Sequence, residues 1–162
     1  MKIEIRQARA GDLSEILRIE RASFRTPWTE LHWRYELEKS ESRILVATVE
    51  GRVVGYVCGW VMGEEMEVAN LAVDPQWRGR GLGKGLLKAL LERALEEGVR
   101  EVWLEVRESN QTAQKLYASL GFSPVGYRLK YYPDTGENAL VMRLSLTEVP
   151  EILTFSNKDK RR

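Results

Sequence analysis

One cysteine and one histidine in 162 residues close off several chemistries at once. Cys58 alone can form no disulfide within the chain and no cysteine-cluster metal site; in its apolar run it is expected as a buried core residue. His32 alone cannot assemble a histidine-rich zinc site or a Ser/His/Asp triad, and beside Trp33 it is expected to pack at or near the surface. No metal site is expected. An excess of charge is missing as well. The 25 Lys and Arg against 24 Asp and Glu leave a net charge of +1, so no global field favours nucleic acid or a membrane as partner. Nor is there an apolar stretch of transmembrane length or an apolar N-terminal signal region, and a cytoplasmic location is the expectation. Lys, Arg and Glu are abundant, which leans toward a heat-loving source.

What is present is the composition of a globular protein, 43% hydrophobic and 30% charged, in a length suited to one domain. Ile3 and Ile5 alternate with Lys2, Glu4 and Arg6 as in a strand. Asp12 is expected to cap a helix, with Glu15 at capping-box spacing and Leu13, Ile16, Leu17 and Ile19 on its apolar face. Ser23 to Trp28 breaks that helix, and Thr29 caps a second one carrying Leu31, Trp33, Tyr35 and Leu37. Residues 43–49 and 53–62 read as strands joined at Glu50-Gly51-Arg52, and Glu65 to Val73 extends them into an antiparallel meander. A helix from Leu82 to Glu97 presents Leu86, Leu87, Leu90, Leu91, Ala94 and Leu95 and ends at Gly98. Then come a strand at 102–106, a helix capped by Ser109 or Asn110 with Ala113, Leu116, Tyr117 and Leu120 on one face, and strands near 122–130 and 138–145. The domain is expected over residues 1–147, with a mobile tail at 148–162. This order predicts an α/β (α+β) fold, a mixed, mostly antiparallel twisted sheet of about seven strands flanked by about four helices. The strand–helix–strand passage from 65 through 106 implies a parallel pair near the sheet centre.

Residues 70–84 organise the chain. Leu71-Ala72-Val73 ends a strand at Asp74-Pro75, and Gly79, Gly81 and Gly83 then lead into a helix. Such a loop presents unpaired N–H groups and a positive dipole end, a site for phosphate, with Arg78, Arg80 and Lys84 adding charge. A plain structural turn is the alternative. Gly85 follows Lys84 where a phosphate-binding loop of the Gly-x-x-x-x-Gly-Lys-Ser/Thr kind has a hydroxyl, and the glycine spacing is not that of a dinucleotide fingerprint.

Leu71-Ala72-Val73-Asp74-Pro75 followed by Arg78-x-x-Gly81-x-Gly83 resembles the pyrophosphate loop of the GNAT superfamily of N-acetyltransferases. Asn110, Ala113, Leu116-Tyr117 and Leu120-Gly121-Phe122 resemble that family's later acyl-CoA segment, and the likeness extends over roughly residues 3–145. Phe24-x-x-Pro27-Trp28, the run from Trp103 to Asn110 and Tyr131-Tyr132-Pro133 are similar to the RimI-type ribosomal-protein N-terminal alanine acetyltransferases.

The resemblance implies a GNAT fold, acetyl-CoA as cosubstrate without a metal, and the N-terminal amine of a protein as acceptor, in particular a ribosomal protein. A monomer with no nucleic-acid or membrane partner is expected. It also implies roles. Leu71, Ala72 and Val73 take the arm of the cofactor, with the Val73 N–H meeting the thioester oxygen; Arg78, Gly79, Arg80, Gly81, Leu82, Gly83 and Lys84 hold the pyrophosphate; Asn110 bonds the pantetheine. Glu105 is the candidate base, with Glu67 its rival, and Tyr117 is the candidate acid beside the sulfur. Phe24, Pro27, Trp28, Tyr131 and Tyr132 are the candidate peptide-gripping residues. The residues alone leave alternatives open. Glu105 reads equally as an outward carboxylate, Tyr117 as part of its helix's apolar face, and the loop rings as ordinary core. Two other functions stay open: transfer to a lysine, polyamine or other small amine, and a non-catalytic acyl-CoA-binding module.

Overall fold

The computed structural model describes residues 2–146; the expected tail at 148–162 lies outside the described residues. The elements are β1 (Ile3–Gln7), α1 (Leu13–Ser23), α2 (Glu30–Glu38), β2 (Ser42–Val49), β3 (Arg52–Met62), β4 (Glu65–Val73), α3 (Leu82–Glu96), β5 (Glu101–Arg107), α4 (Gln111–Ser119), β6 (Ser123–Arg128) and β7 (Ala139–Ser145). The strands form one sheet in the order β1-β2-β3-β4-β5-β7-β6. β4 and β5 run parallel, as the passage from 65 to 106 predicts, whereas β1–β2, β2–β3, β5–β7 and β6–β7 are antiparallel.

Two units are distinguished by their internal contacts. One holds the described residues of Met1–Val61 and Ala69–Leu91, the other those of Met62–Val68 and Glu92–Arg162. β4 belongs to both. Its residues 65–68 pair with β5, from Glu65↔Glu101 to Val68↔Leu104, and its residues 69–73 lie in the first unit.

In the first unit, the 3.6-residue period of α1 puts Ile16 and Ile19 into a core with Trp33, Val46, Tyr56 and Cys58. Each such large side chain contributes about 1.5–3 kcal/mol when removed from water. Burial also pushes the Cys58 thiol up, so it stays protonated. The expected capping box of α1 does not form. Asp12 makes no side-chain cap; its carboxylate takes two bonds from Arg6, at 2.9 and 2.8 Å, and one from the Arg9 N–H. Glu15 instead accepts the Val53 N–H at 3.1 Å. A charged partner six residues earlier outcompeted the cap at Asp12. Thr29 caps α2 as expected, accepting the His32 N–H at 3.1 Å.

Gly55 sits where β3 meets β4 and α3. A Cβ there would stand 3.1 Å from the Ala72 carbonyl oxygen and 3.1 Å from Leu86 Cδ1. That absence lets β4 approach closely just before the Leu71–Val73 segment ends.

In the second unit, β5 alternates, burying Val102, Leu104 and Val106 and turning Glu101, Trp103, Glu105 and Arg107 to the less buried face. Asn110 is the residue that caps α4, accepting the Ala113 N–H at 3.1 Å. β6 is shorter than the expected 122–130. All six of its residues are exposed, and its pairing with β7 shifts between Pro124 and Gly126.

Gly55→Ala is expected to cost about 1–3 kcal/mol, because one of the atoms it meets is rigid backbone. Urea unfolding measures this; an unchanged midpoint would show that β4 can yield there.

Candidate active site

The glycine-rich segment of the first unit is built outward from the end of β4. The Asp74 N–H donates to the Val54 carbonyl at 2.8 Å. Successive N–H groups of a strand point to opposite edges, so those of Val73 and Leu71 face away from β3. The β5 ladder takes up only residues 65–68 of β4. Asp74 then accepts the Gln76 N–H at 3.0 Å and Arg18 Nη1 at 2.9 Å, which fixes the short 3-10 turn Pro75–Trp77.

Arg78 donates from Nε to the Val73 carbonyl at 2.9 Å and from Nη2 to Ser23 Oγ at 3.1 Å. Its guanidinium thus ties the loop to β4 and α1, and Arg80 lies over the Trp77 ring at 4.5 Å. Gly79 and Gly81 have φ of +78° and +80°, a region open to glycine and strained for other residues. The first backbone bond of α3 is Gly85 N–H to Gly81 O at 3.0 Å. Among the described residues, none is made by the N–H groups of Gly79 through Lys84. These unpaired donors at a helix start, beside Arg80 and Lys84, suit a pyrophosphate. Phe24, Pro27 and Trp28 belong to the same unit. Phe24 is 38% exposed, whereas the Trp28 ring stacks on His32 at 4.1 Å and packs beside Trp33 and Trp60.

Glu105, Tyr117, Tyr131 and Tyr132 lie in the second unit. The Glu105 side chain is 16% exposed, with Oε2 at 2.5 Å from Arg128 Nε. Oε2 is buried, and Arg128 is the partner against it among the described residues. Tyr131 Oη reaches Glu105 Oε1 at 3.5 Å, the outer limit of a bond. Glu67 shares this neighbourhood. Burial and the charge of Glu105 raise its pKa, with Arg128 opposing. Burial, with a smaller push from Tyr132, takes the Tyr117 hydroxyl up to about 12, so it carries its proton at neutral pH. Tyr117 packs edge-on to Phe122 at 5.9 Å. Tyr132 lies under the Arg107 guanidinium at 4.0 Å, and burial raises its hydroxyl to about 12. Asn110 spends its side-chain oxygen on the helix cap.

Residues 13–122 match the acetyltransferase (GNAT) family. This chain belongs to that family. It is 34% identical over 139 residues to the ribosomal protein bS18-alanine N-acetyltransferase of Escherichia coli (strain K12), 84% of this chain and 93% of the relative. The crystal structure of the ribosomal-protein-S18-alanine N-acetyltransferase from Escherichia coli has a TM-score of 0.85 at 32% identity, covering 93% of this chain and 97% of that one. The paia N-acetyltransferase of Thermoplasma acidophilum, solved in complex with coenzyme A, shares the fold with a TM-score of 0.78 at 18% identity, covering 90% and 99%.

GNAT enzymes use acetyl-CoA, and this one shows no cluster of metal-binding side chains among its described residues. No helix among them is long and apolar enough to cross a membrane.

Sequence reading missed three buried polar residues of this acetyltransferase. Glu20 is 1% exposed; its Oε1 accepts from Tyr56 Oη at 2.5 Å and Asn70 Nδ2 at 2.9 Å, and its Oε2 accepts the Trp28 N–H at 2.8 Å. Glu36 is buried against the Ser42 hydroxyl, Trp60 Nε1 and His32 Nε2. The signal existed. Glu20 stands at i+7, i+4 and i+3 from Leu13, Ile16 and Leu17, on the apolar stripe, and Asn70 shares the buried face of Met66, Val68 and Ala72.

The raised pKa of Glu67 has a definite sign. Its protonated form is favoured in the fold, a contribution fully present below about pH 4.5 and lost as pH rises through the raised value. Glu67→Gln is therefore expected to raise the melting temperature at pH 7–8 and leave it unchanged near pH 4. Calorimetry across that range checks this; a pH-independent difference would refute it.

Proposed function

We propose that this enzyme acetylates the N-terminal α-amine of a protein, a ribosomal protein of the S18 kind, by direct attack of the amine on the acetyl thioester. The carrying observation is the Glu105 carboxylate, largely buried beside Glu67, with Arg128 against Oε2 and with Oε1 reached only by Tyr131 Oη at 3.5 Å and so open to the proton of an amine or of a bridging water. The activity named for the E. coli relative, at 34% identity over most of both chains, supports the same reading.

When bound, acetyl-CoA supplies an activated acetyl group. The N–H groups of Gly79 through Lys84 hold its pyrophosphate, and coenzyme A in the Thermoplasma acidophilum enzyme supports a cofactor of this kind. Leu71, Ala72 and Val73 line the arm. The Val73 N–H, turned away from β3, donates to the carbonyl oxygen as it gains charge; one such donor is worth about 2.7–4 kcal/mol in other enzymes. Glu105 removes the amine proton. Tyr117, protonated at neutral pH, returns a proton to the departing sulfur. In the first unit Phe24, 38% exposed, and Pro27 are the acceptor contacts, with the packed Trp28 shaping that loop from below; in the second they are Tyr131, 46% exposed, and Tyr132.

An α-amine suits a single ordinary carboxylate as base. Its pKa is about 7.7–8.0 against about 10.4 for lysine, so at pH 7 its neutral form is some hundreds of times more abundant. A ribosomal-protein acceptor puts the reaction in the cytoplasm.

Incubating peptides that differ at the first residue with acetyl-CoA, and reading products by mass, tests the acceptor; acetylation of lysine or polyamines alone would sink the N-terminal reading. Glu105→Gln is expected to slow turnover about 100-fold or more, with acetyl-CoA affinity within a factor of about two. Normal turnover in that variant would remove Glu105 as base. Gly81→Val, which forces a β-branched residue to φ near +80°, is expected to weaken acetyl-CoA binding by about tenfold or more, as titration calorimetry would read.

A further inference from the structure

Glu20 is used by none of the steps above, yet it is buried and accepts three hydrogen bonds, as many as Asp12 and Glu36 of the same unit. Its three hydrogen bonds come from three different places: Tyr56 on β3, Asn70 on β4 and the backbone of Trp28. It has no cationic partner among the described residues. Replacing a buried polar cluster as a whole by apolar side chains loses little stability, whereas replacing Glu20 alone would strand Tyr56 Oη, the Asn70 amide and the Trp28 N–H. What an apolar side chain could not do is hold two specific strands of backbone at once.

The loop from Phe24 to Trp28 is clipped at both ends on this one residue. The Phe24 N–H donates to the Glu20 backbone carbonyl at 3.1 Å, and the Trp28 N–H donates to the Glu20 carboxylate at 2.8 Å. Pro27 and the exposed Phe24 ring therefore stand on a segment whose span is set by Glu20. On the other side, Asn70 directly precedes Leu71. A carboxylate only accepts, so the Asn70 amide must turn its NH2 to Glu20. That fixes the orientation of its side chain and leaves Oδ1 buried without a partner among the described residues.

We infer that Glu20 is a positioning residue that ties the Phe24–Trp28 loop to the Asn70–Val73 end of β4, so that the acceptor side and the cofactor side of the site are set by one carboxylate. This rests on the proposed acceptor role of that loop. Glu20 touches neither substrate; it acts through Trp28 and Asn70.

The test pairs two variants. Tyr56→Phe removes one donor but leaves both ties, and acetyl-CoA affinity, acceptor KM and kcat are expected to stay within about twofold. Glu20→Met combined with Tyr56→Phe removes both ties without stranding the tyrosine hydroxyl. It strands the Trp28 N–H and the Asn70 amide, so its melting temperature is expected to fall by several degrees, while acetyl-CoA binding is expected to stay within about threefold. Acceptor KM is expected to rise about tenfold with a fall in kcat, as misplacement of a reacting group produces. Amide hydrogen exchange at Trp28 is expected to quicken by about tenfold or more in the double variant and not in Tyr56→Phe. The exchange measurement needs no acceptor, so it judges the tie even if N-terminal peptides prove not to be substrates; the amine that is turned over then serves for the kinetics. Unaltered exchange at Trp28 overturns the inference. So do unaltered acceptor kinetics, or a loss in which acetyl-CoA affinity falls together with acceptor kinetics.

Discussion

A strand cannot complete both of its ladders and also offer backbone donors to a ligand. β4 resolves this conflict along its own length. Its first residues satisfy their hydrogen bonds on β5, up to Val68, and the segment that follows turns the N–H groups of Leu71 and Val73 away from β3. The rest of the first unit keeps that segment from relaxing. Gly55 admits it closely, Asn70 is held by Glu20, and Asp74 and Arg78 fasten the chain beyond it to α1. Unsatisfied backbone donors normally cost stability; here they cluster at a strand end and a helix start, the two places where a fold can leave them pointing outward.

Much of this was legible in the residues. Period and punctuation placed all seven strands and four helices, and the glycines at 79 and 81 marked a loop that needs positive φ. The parallel pair followed from the length of the crossover between β4 and β5. What was not legible was which partner each polar side chain would take. Asp12 and Glu15 have capping-box spacing, yet Arg6 and the Val53 N–H claimed their carboxylates. Arg78 read as an anion ligand, and its guanidinium is engaged by Val73 and Ser23. Glu20 and Asn70 stood on apolar stripes, where a polar residue either signals a wrong register or a buried bond; only the fold shows which.

Two carboxylates on the less buried face of neighbouring strands make the second unit electrostatically uneven. Glu67 bears the cost, since burial and the charge of Glu105 both favour its neutral form, while Arg128 lies against Glu105. Raising the pKa of one of two neighbouring carboxylates is a familiar way to make them behave differently.

β6 closes the sheet on one side, and it is the strand with every residue exposed. An edge strand of that kind is a template for any extended chain, including other copies of the same protein. Pro124 has no N–H to give, the pairing slips beside it, and Arg128 places a charge at the strand's end. Its outermost strand therefore offers a stray extended backbone no continuous row of donors to zip onto.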